Sequence, residues 1–233
     1  VTARAEELAA NLEGVRRRIR EACAAAGRPE DDVDLVVVTK FFPASDVRIL
    51  ADLGVRDVGE NRHQEAEAKA SQCADLGLRW HFIGGLQSNK AAAVAAYADV
   101  VESLDRAKLV GPLARGAEAR GSAVDVLVQV SLDPPGSDHR SGVDPAALAD
   151  LAGRVQEAGA LRLRGLMAVA PLGEPPADAF ARLAEVRAGF VRDHPGATLL
   201  SAGMSGDLEH AITCGATHVR VGSAVLGERP AVQ

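Results

Sequence analysis

Residues 35–70 read LVVVTKFFPASDVRILADLGVRDVGENRHQEAEAKA, and the fold turns on how this stretch is punctuated. LVVVT (35–39) is short, rich in β-branched residues and almost wholly apolar, the pattern of a strand covered on both faces, as strands of parallel sheets are. Pro43 opens a helical segment that ends at Gly54, and the candidate strand VRDVGE (55–60) follows. The alternation of apolar strand, polar or glycine-bearing turn and helix then continues to the end of the chain.

Candidate strands centre near Val37, Asp57, Phe82, Val101, Val128, Leu166, Leu200 and Val219. Asp144-Pro145 predicts an N-cap and first helical position ahead of AALADLAGRVQEA, and Pro176 opens the run that ends at Pro195. Upstream, Leu8, Leu12, Val15 and Ile19 recur at helical spacing, which adds an N-terminal helix with one buried stripe. Eight βα repeats in 233 residues predict an α/β protein with a single (β/α)8 TIM barrel spanning 1–233; an open doubly wound sheet is the alternative. Two polar stretches, DPPGSDHRSG (133–142) and PLGEPP (171–176), read as long rim loops.

Composition narrows the function classes. Net charge is −6 and hydrophobic residues make up 47%, with no apolar run near the roughly 20 residues of a membrane-spanning helix. No nucleic-acid partner and no membrane are expected: the acidic balance lacks the footprint of a phosphodiester binder, and Arg16, Arg17, Arg18 and Arg20 read as the solvated face of the first helix. Cys23, Cys73 and Cys214 are isolated, arguing against a disulfide framework or zinc site and for a reducing, cytoplasmic setting. The first residues carry acids early and lack the apolar centre of a secretory signal.

In a (β/α)8 barrel the chemistry sits on the segments that follow the strands. SAGMSGDLEHAI (201–212) and RVGSAV (220–225) follow strands seven and eight, the frequent phosphate site of this fold; Gly203, Gly206, Gly222 and Ser223 suit an anion, and Ser205 is expected to cap the next helix. Ordinary turns are the alternative reading. Lys40 ends the first strand beside two phenylalanines, where partial desolvation would lower its pKa and free a nucleophilic amine; simple solvation is the alternative. An amine across from a phosphate seat suits an aldehyde-bearing phosphate ligand. Arg220, on the last strand, needs either a ligand atom or an internal acid such as Glu60. No dinucleotide fingerprint or P-loop is present.

The segments 36–70, WHFIGGLQSNK (80–90) and SAGMSGDLEHAITCGATHVRVGSAVLGER (201–229) resemble the signature regions of the pyridoxal phosphate homeostasis proteins, the YggS/PROSC-like family. The resemblance implies a fold-type III barrel like the N-terminal domain of alanine racemase, with pyridoxal 5′-phosphate (PLP) held as a Schiff base on Lys40. It implies phosphate contacts from Ser205, Gly222 and Ser223, and Arg220 near the pyridine nitrogen. Asn61, His81, Ser201 and Met204 correspond to pocket residues, although His81 reads equally well as a hydrogen-bonded core histidine. The chain departs from the family at Arg62-His63, where an aromatic usually follows the asparagine, and at Ala202, usually Met; altered pocket walls are expected. His63 reads as an exposed helix residue.

The same resemblance implies a monomeric carrier of PLP with apo-PLP enzymes as recipients. A racemase-like enzyme is the alternative, and it would need a second acid/base opposite the lysine; the one tyrosine, Tyr97, falls in the helical run AAAVAAYADV (91–100). A barrel aldolase using Lys40 on a sugar phosphate is the third reading.

Overall fold

A computed structural model describes residues 2–133 and 142–228. Its elements run α1 (Ala3–Ala25), β1 (Asp34–Val38), α2 (Ala44–Asp52), β2 (Asp57–Glu60), α3 (His63–Gln72), β3 (Arg79–Phe82), α4 (Ala91–Ala95), β4 (Val100–Leu104) and α5 (Val110–Arg120). Then follow β5 (Val124–Gln129), α6 (Leu148–Glu157), β6 (Leu161–Met167), α7 (Pro176–Asp193), β7 (Leu199–Ser201), α8 (Leu208–Thr213), β8 (His218–Val221) and α9 (Ser223–Leu226). The eight strands pair in parallel and in chain order, and β1 closes on β8. This is the (β/α)8 barrel, not the open sheet, and all eight expected strand centres fall in it.

Closure follows from the strand chemistry. Each strand is covered inside by side chains and outside by helices, so its apolar residues bury on both faces, as Val36, Val37 and Val38 do. Small residues let α4 and α5 approach closely, where a Cβ on Gly116 would come within 2.3 Å of the Ala92 carbonyl oxygen. Register decides what enters the barrel: Val36 lies beside Arg220, Gly59 beside His81, and Met167 beside Ser201. Successive residues alternate between faces, so Glu60, next to inward Gly59, turns outward to α3.

α1 lies outside the barrel. Leu8, Leu12, Val15 and Ile19 are at most 4% exposed and share a core cluster with Leu208, Ile212, Val225 and Leu226. Each such burial contributes roughly 1.5–3 kcal/mol. The arginines of α1 are not uniformly solvated as expected: Arg16 bonds the Leu53 carbonyl and Arg18 reaches Glu209 and Ser205. Long side chains can cover apolar surface and still deliver their charge to a neighbouring element.

Three local expectations shift. Asp144 does accept the Ala146 N–H, but it caps a 3-10 turn (Pro145–Ala147) that precedes α6. α8 begins at Leu208, three residues after Ser205, because Asp207 accepts the Met204 N–H at 2.6 Å and closes a turn first; Ser205 is therefore not the cap. α4 ends at Ala95, which leaves Tyr97 in the following turn. Of the rim loop 133–142, residues 134–141 lie outside the described residues.

Gly84, after β3, packs on the β2 loop so closely that an added Cβ would sit 2.2 Å from the Asn61 carbonyl oxygen, whereas at Gly85 it would meet nothing within 4 Å. Gly84→Ala is expected to lower stability by about 2–3 kcal/mol through forced backbone movement, and Gly85→Ala to leave it nearly unchanged. Paired thermal melts check this; equal melting temperatures would refute it.

Candidate cofactor site at the barrel mouth

Thr39 follows β1 with its side chain outward, toward Glu60, and Lys40 lies in a tight turn closed by the Phe42 N–H donating to the Thr39 carbonyl. Phe41 takes a left-handed backbone, φ 71°, which costs about 1–3 kcal/mol in a non-glycine residue. The surrounding bonds hold it there. Glu65 of α3 accepts the Phe41 N–H at 2.5 Å, and the buried Lys69 ammonium donates to the Thr39 carbonyl (2.6 Å), Glu60 (2.7 Å) and Glu65 (2.7 Å). Thr39 Oγ1 donates to Glu60 as well. Burial pushes the Glu60 carboxyl above its ordinary pKa, against the pull of Lys69.

This turn delivers Lys40 to a cleft of about 280 Å³ at the strand C-terminal ends. Its walls include Phe41, Phe42, Ile83 and Met204; Arg220 lies at its base, and Ser205, Gly206, Gly222 and Ser223 line it from the loops after β7 and β8. Those two loops meet: Ser223 Oγ lies 3.4 Å from Ser205 Oγ. A Cβ on Gly222 would come within 3.2 Å of the Val38 carbonyl oxygen, so glycine lets the β8 loop approach β1. Lys40 Nζ lies 6.0 Å from the Phe41 ring centre, and the Arg62 guanidinium covers the same ring at 5.1 Å. Arg62, a departure from the family pattern, thus acts on the wall through Phe41. Ala202 is fully buried in the core.

Behind Arg220 runs a buried polar chain. Arg220 Nη1 donates to Ser201 Oγ (2.7 Å) and Nη2 to the Ala168 carbonyl (2.9 Å). Ser201 Oγ donates to Glu102 Oε2 (2.6 Å), which also lies 3.7 Å from Arg220. The other oxygen of Glu102 bonds His81 Nδ1 at 2.7 Å, and His81 Nε2 bonds Asp57 at 2.9 Å. Burial alone would lower the His81 pKa, but bonds to Asp57 and Glu102 outweigh it and raise it to about 9. Burial would raise Glu102; the bond from His81 and the Arg220 charge bring it down to about 2. Burial lowers the Arg220 guanidinium from its ordinary value, opposed by Glu102.

Six of the expected site residues therefore share one cleft: Lys40, Met204, Ser205, Arg220, Gly222 and Ser223. His81 and Ser201 stand behind Arg220 in the barrel interior instead of on the wall, and the buried Asn61 Oδ1 has no hydrogen-bond partner among the described residues. The acid that meets Arg220 is Glu102, not Glu60, which alternation sends to the outer face. Glu102 was legible as an acid set inside the apolar run VVESL (100–104). His63 is a correction too: its side chain is only 11% exposed and stacks on Tyr97 at 5.9 Å between ring centres, because α3 turns its first residue onto the segment after α4.

A lysine amine, two serine hydroxyls, glycines and a buried arginine thus line one cleft at the mouth of a (β/α)8 barrel, and the fold and site place the chain among (β/α)8 proteins of the alanine racemase N-terminal type. The family model described as alanine racemase, N-terminal domain, matches residues 8–230. The chain belongs to that family and, within it, to the group of pyridoxal phosphate homeostasis proteins. A relative of that name from Mycobacterium tuberculosis is 45% identical over 249 residues, covering 97% of this chain and 94% of its own. Among solved structures, PipY of Synechococcus elongatus with PLP bound aligns with a TM-score of 0.81 at 34% identity, covering 94% of this chain and 100% of that one. A protein of Bifidobacterium adolescentis, described as unknown, aligns at 0.87 and 33% identity over 97% and 96%.

Proposed function

We propose that this chain binds pyridoxal 5′-phosphate at the barrel mouth as a Schiff base on Lys40 and serves intracellular vitamin B6 homeostasis as a carrier, without a reaction of its own. The observation that carries the reading is the cleft in which Lys40 shares its walls with the Ser205 and Ser223 hydroxyls and Arg220. The residues fit the group. Ser205, Gly222 and Ser223 would hold the phosphate, and the Ser205 and Gly206 backbone N–H groups have no protein acceptor among the described residues. Bound there, the cofactor supplies an aldehyde for reversible condensation with the Lys40 amine, one water leaving as the C=N bond forms.

Arg220 would approach the pyridine nitrogen, and a guanidinium has only donors, so it favours the unprotonated ring and a weak electron sink. Ser201 supports it directly and His81 through Glu102, Met204 supplies a wall, and Asn61 sits at the β2–β3 corner. Racemisation needs proton transfer on both faces of the bound substrate, and Tyr97, the one tyrosine, has its hydroxyl buried beside α3 and does not line the cleft. That supports a carrier with apo-PLP enzymes as recipients. A cytoplasmic monomer without nucleic-acid or membrane partners completes the reading; no helix among the described residues is long and apolar enough to cross a membrane.

Absorbance provides the test. Protein incubated with PLP is expected to absorb near the visible edge, to lose that band on borohydride reduction, and to yield a labelled peptide containing Lys40. Lys40→Ala is expected to keep the fold and lose the covalent label. A colourless wild-type protein in excess PLP would refute the proposal. An amino-acid chirality assay is expected to show no turnover; Lys40-dependent racemisation would make the protein an enzyme.

A further inference from the structure

The two loops assigned to the phosphate are followed by helices too short to hold themselves: α8 has six residues and α9 four. Both lie against α1, and polar side chains of α1 and the residues just after it bond them. Arg18 grips Glu209 with two nitrogens, Nε at 2.8 Å and Nη2 at 3.1 Å, and the same Nη2 donates to the Ser205 carbonyl at 2.9 Å. At the far end of α8, Arg28 Nη1 donates to the Ile212 carbonyl at 2.7 Å. On α9, Asn11 Nδ2 donates to the Val225 carbonyl (3.1 Å) and Arg4 Nη2 to the Leu226 carbonyl (3.0 Å).

The Ser205 contact has a directional consequence. In a trans peptide the carbonyl and the following N–H point opposite ways. Holding the Ser205 oxygen toward α1 therefore turns the Gly206 N–H away from α1, and Gly206 lines the cleft. Arg18 is not itself among the residues that line the cleft, so its effect on a ligand runs through this one peptide plane and through α8.

We propose that α1 is the element that sets phosphate recognition, with Arg18 and Asn11 as positioning residues that hold the β7 and β8 loops from outside the barrel. The inference rests on the cofactor reading above, and it assigns to the basic face of α1 a role in selecting phosphorylated over unphosphorylated ligand.

Comparison of PLP with pyridoxal, which has the same aldehyde but no phosphate, isolates that role. Apparent dissociation constants for both are measured by absorbance titration of wild type, Arg18→Ala, Asn11→Ala and Arg17→Ala, with melting temperatures of the unloaded proteins alongside. Arg17 serves as control, since it is exposed and its partner, Glu21 at 3.9 Å, lies on the same helix. Loss of a charge-assisted bond that orients the loop is expected to weaken PLP about tenfold in Arg18→Ala and to change pyridoxal less than about twofold. Asn11→Ala is expected to show the same selectivity at smaller size, and Arg17→Ala none. Parallel weakening of both ligands would overturn the proposal, reducing α1 to a stabilising helix, as would unchanged PLP affinity. If Arg18→Ala does not fold, Arg18→Met decides by the same ratio, because it keeps the aliphatic stem against α8 and removes every donor to Glu209 and Ser205. Wild-type protein that binds neither ligand would refute the cofactor reading itself, a result distinct from all of these.

Discussion

Glu102→Ala is expected to destabilise the protein by about 3–5 kcal/mol, because it strips the counter-charge from two buried cations at once. Glu102 is fully buried, and its two oxygens take His81 on one side and Ser201 with Arg220 on the other. Without it, Arg220 keeps its bonds to Ser201 and the Ala168 carbonyl, and His81 its bond to Asp57. Chemical denaturation measures the loss; a change below about 1 kcal/mol, the range of exposed pairs, would show that the chain is not charged as described. Glu102→Gln keeps the shape and isolates the charge.

The pH dependence has a definite sign. His81 is raised from 6.5 to about 9, so its contribution is complete below the unfolded value of 6.5 and is lost as pH rises through 9. Glu102 is lowered from 4.5 to about 2, so its contribution is complete above 4.5 and is lost as pH falls through 2. Stability from this pair is therefore greatest between pH 4.5 and 6.5. Glu102→Gln is expected to flatten both flanks of the profile; unchanged flanks would assign them to other groups.

Lys69→Met is the second large effect, again about 3–5 kcal/mol. It leaves Glu60 and Glu65 facing each other without a cation and withdraws the donor from the Thr39 carbonyl. The loss reaches the site, because Glu65 also holds the N–H of left-handed Phe41, the residue after Lys40. Adding Glu60→Gln to Lys69→Met removes one of the two stranded charges and is expected to recover part of the stability, with a coupling of about 0.5–3 kcal/mol. Denaturant melts of the four proteins in the cycle measure it; strict additivity would show that Glu60 and Lys69 do not act as a pair. The double variant, once stable enough to handle, is also expected to label more slowly with PLP and borohydride than wild type, since its Lys40 turn lacks the Lys69 donor.

The barrel was legible because its signal is local and repeated. A short strand, then a polar or glycine-bearing turn, then a helix recurs along the chain, and each unit needs its neighbours to cover it. The cleft was legible for a related reason: Lys40, Ser205, Gly222 and Ser223 all follow strands, and in parallel closure every such segment emerges at the same end. Arg62 shows the limit of motif comparison. It was visible as a departure, but its contact with the Phe41 ring depends on a left-handed turn that no spacing announces.

Chain composition and periodicity by themselves determined the architecture and which segments, those after strands one, seven and eight among them, emerge together at one end of the barrel. Only the tertiary structure decided which charges meet: Glu102 and not Glu60 on Arg220, Lys69 under the Lys40 turn, Arg18 on the carbonyl of Ser205. The physical reason is one of range. Secondary structure and strand ends follow from neighbours a few residues away, whereas an ion pair follows from barrel register and from which strand face a residue occupies. A one-residue shift along a strand exchanges interior for exterior, so partners separated by 99 residues, as Ser201 and Glu102 are, become known only when the sheet has closed.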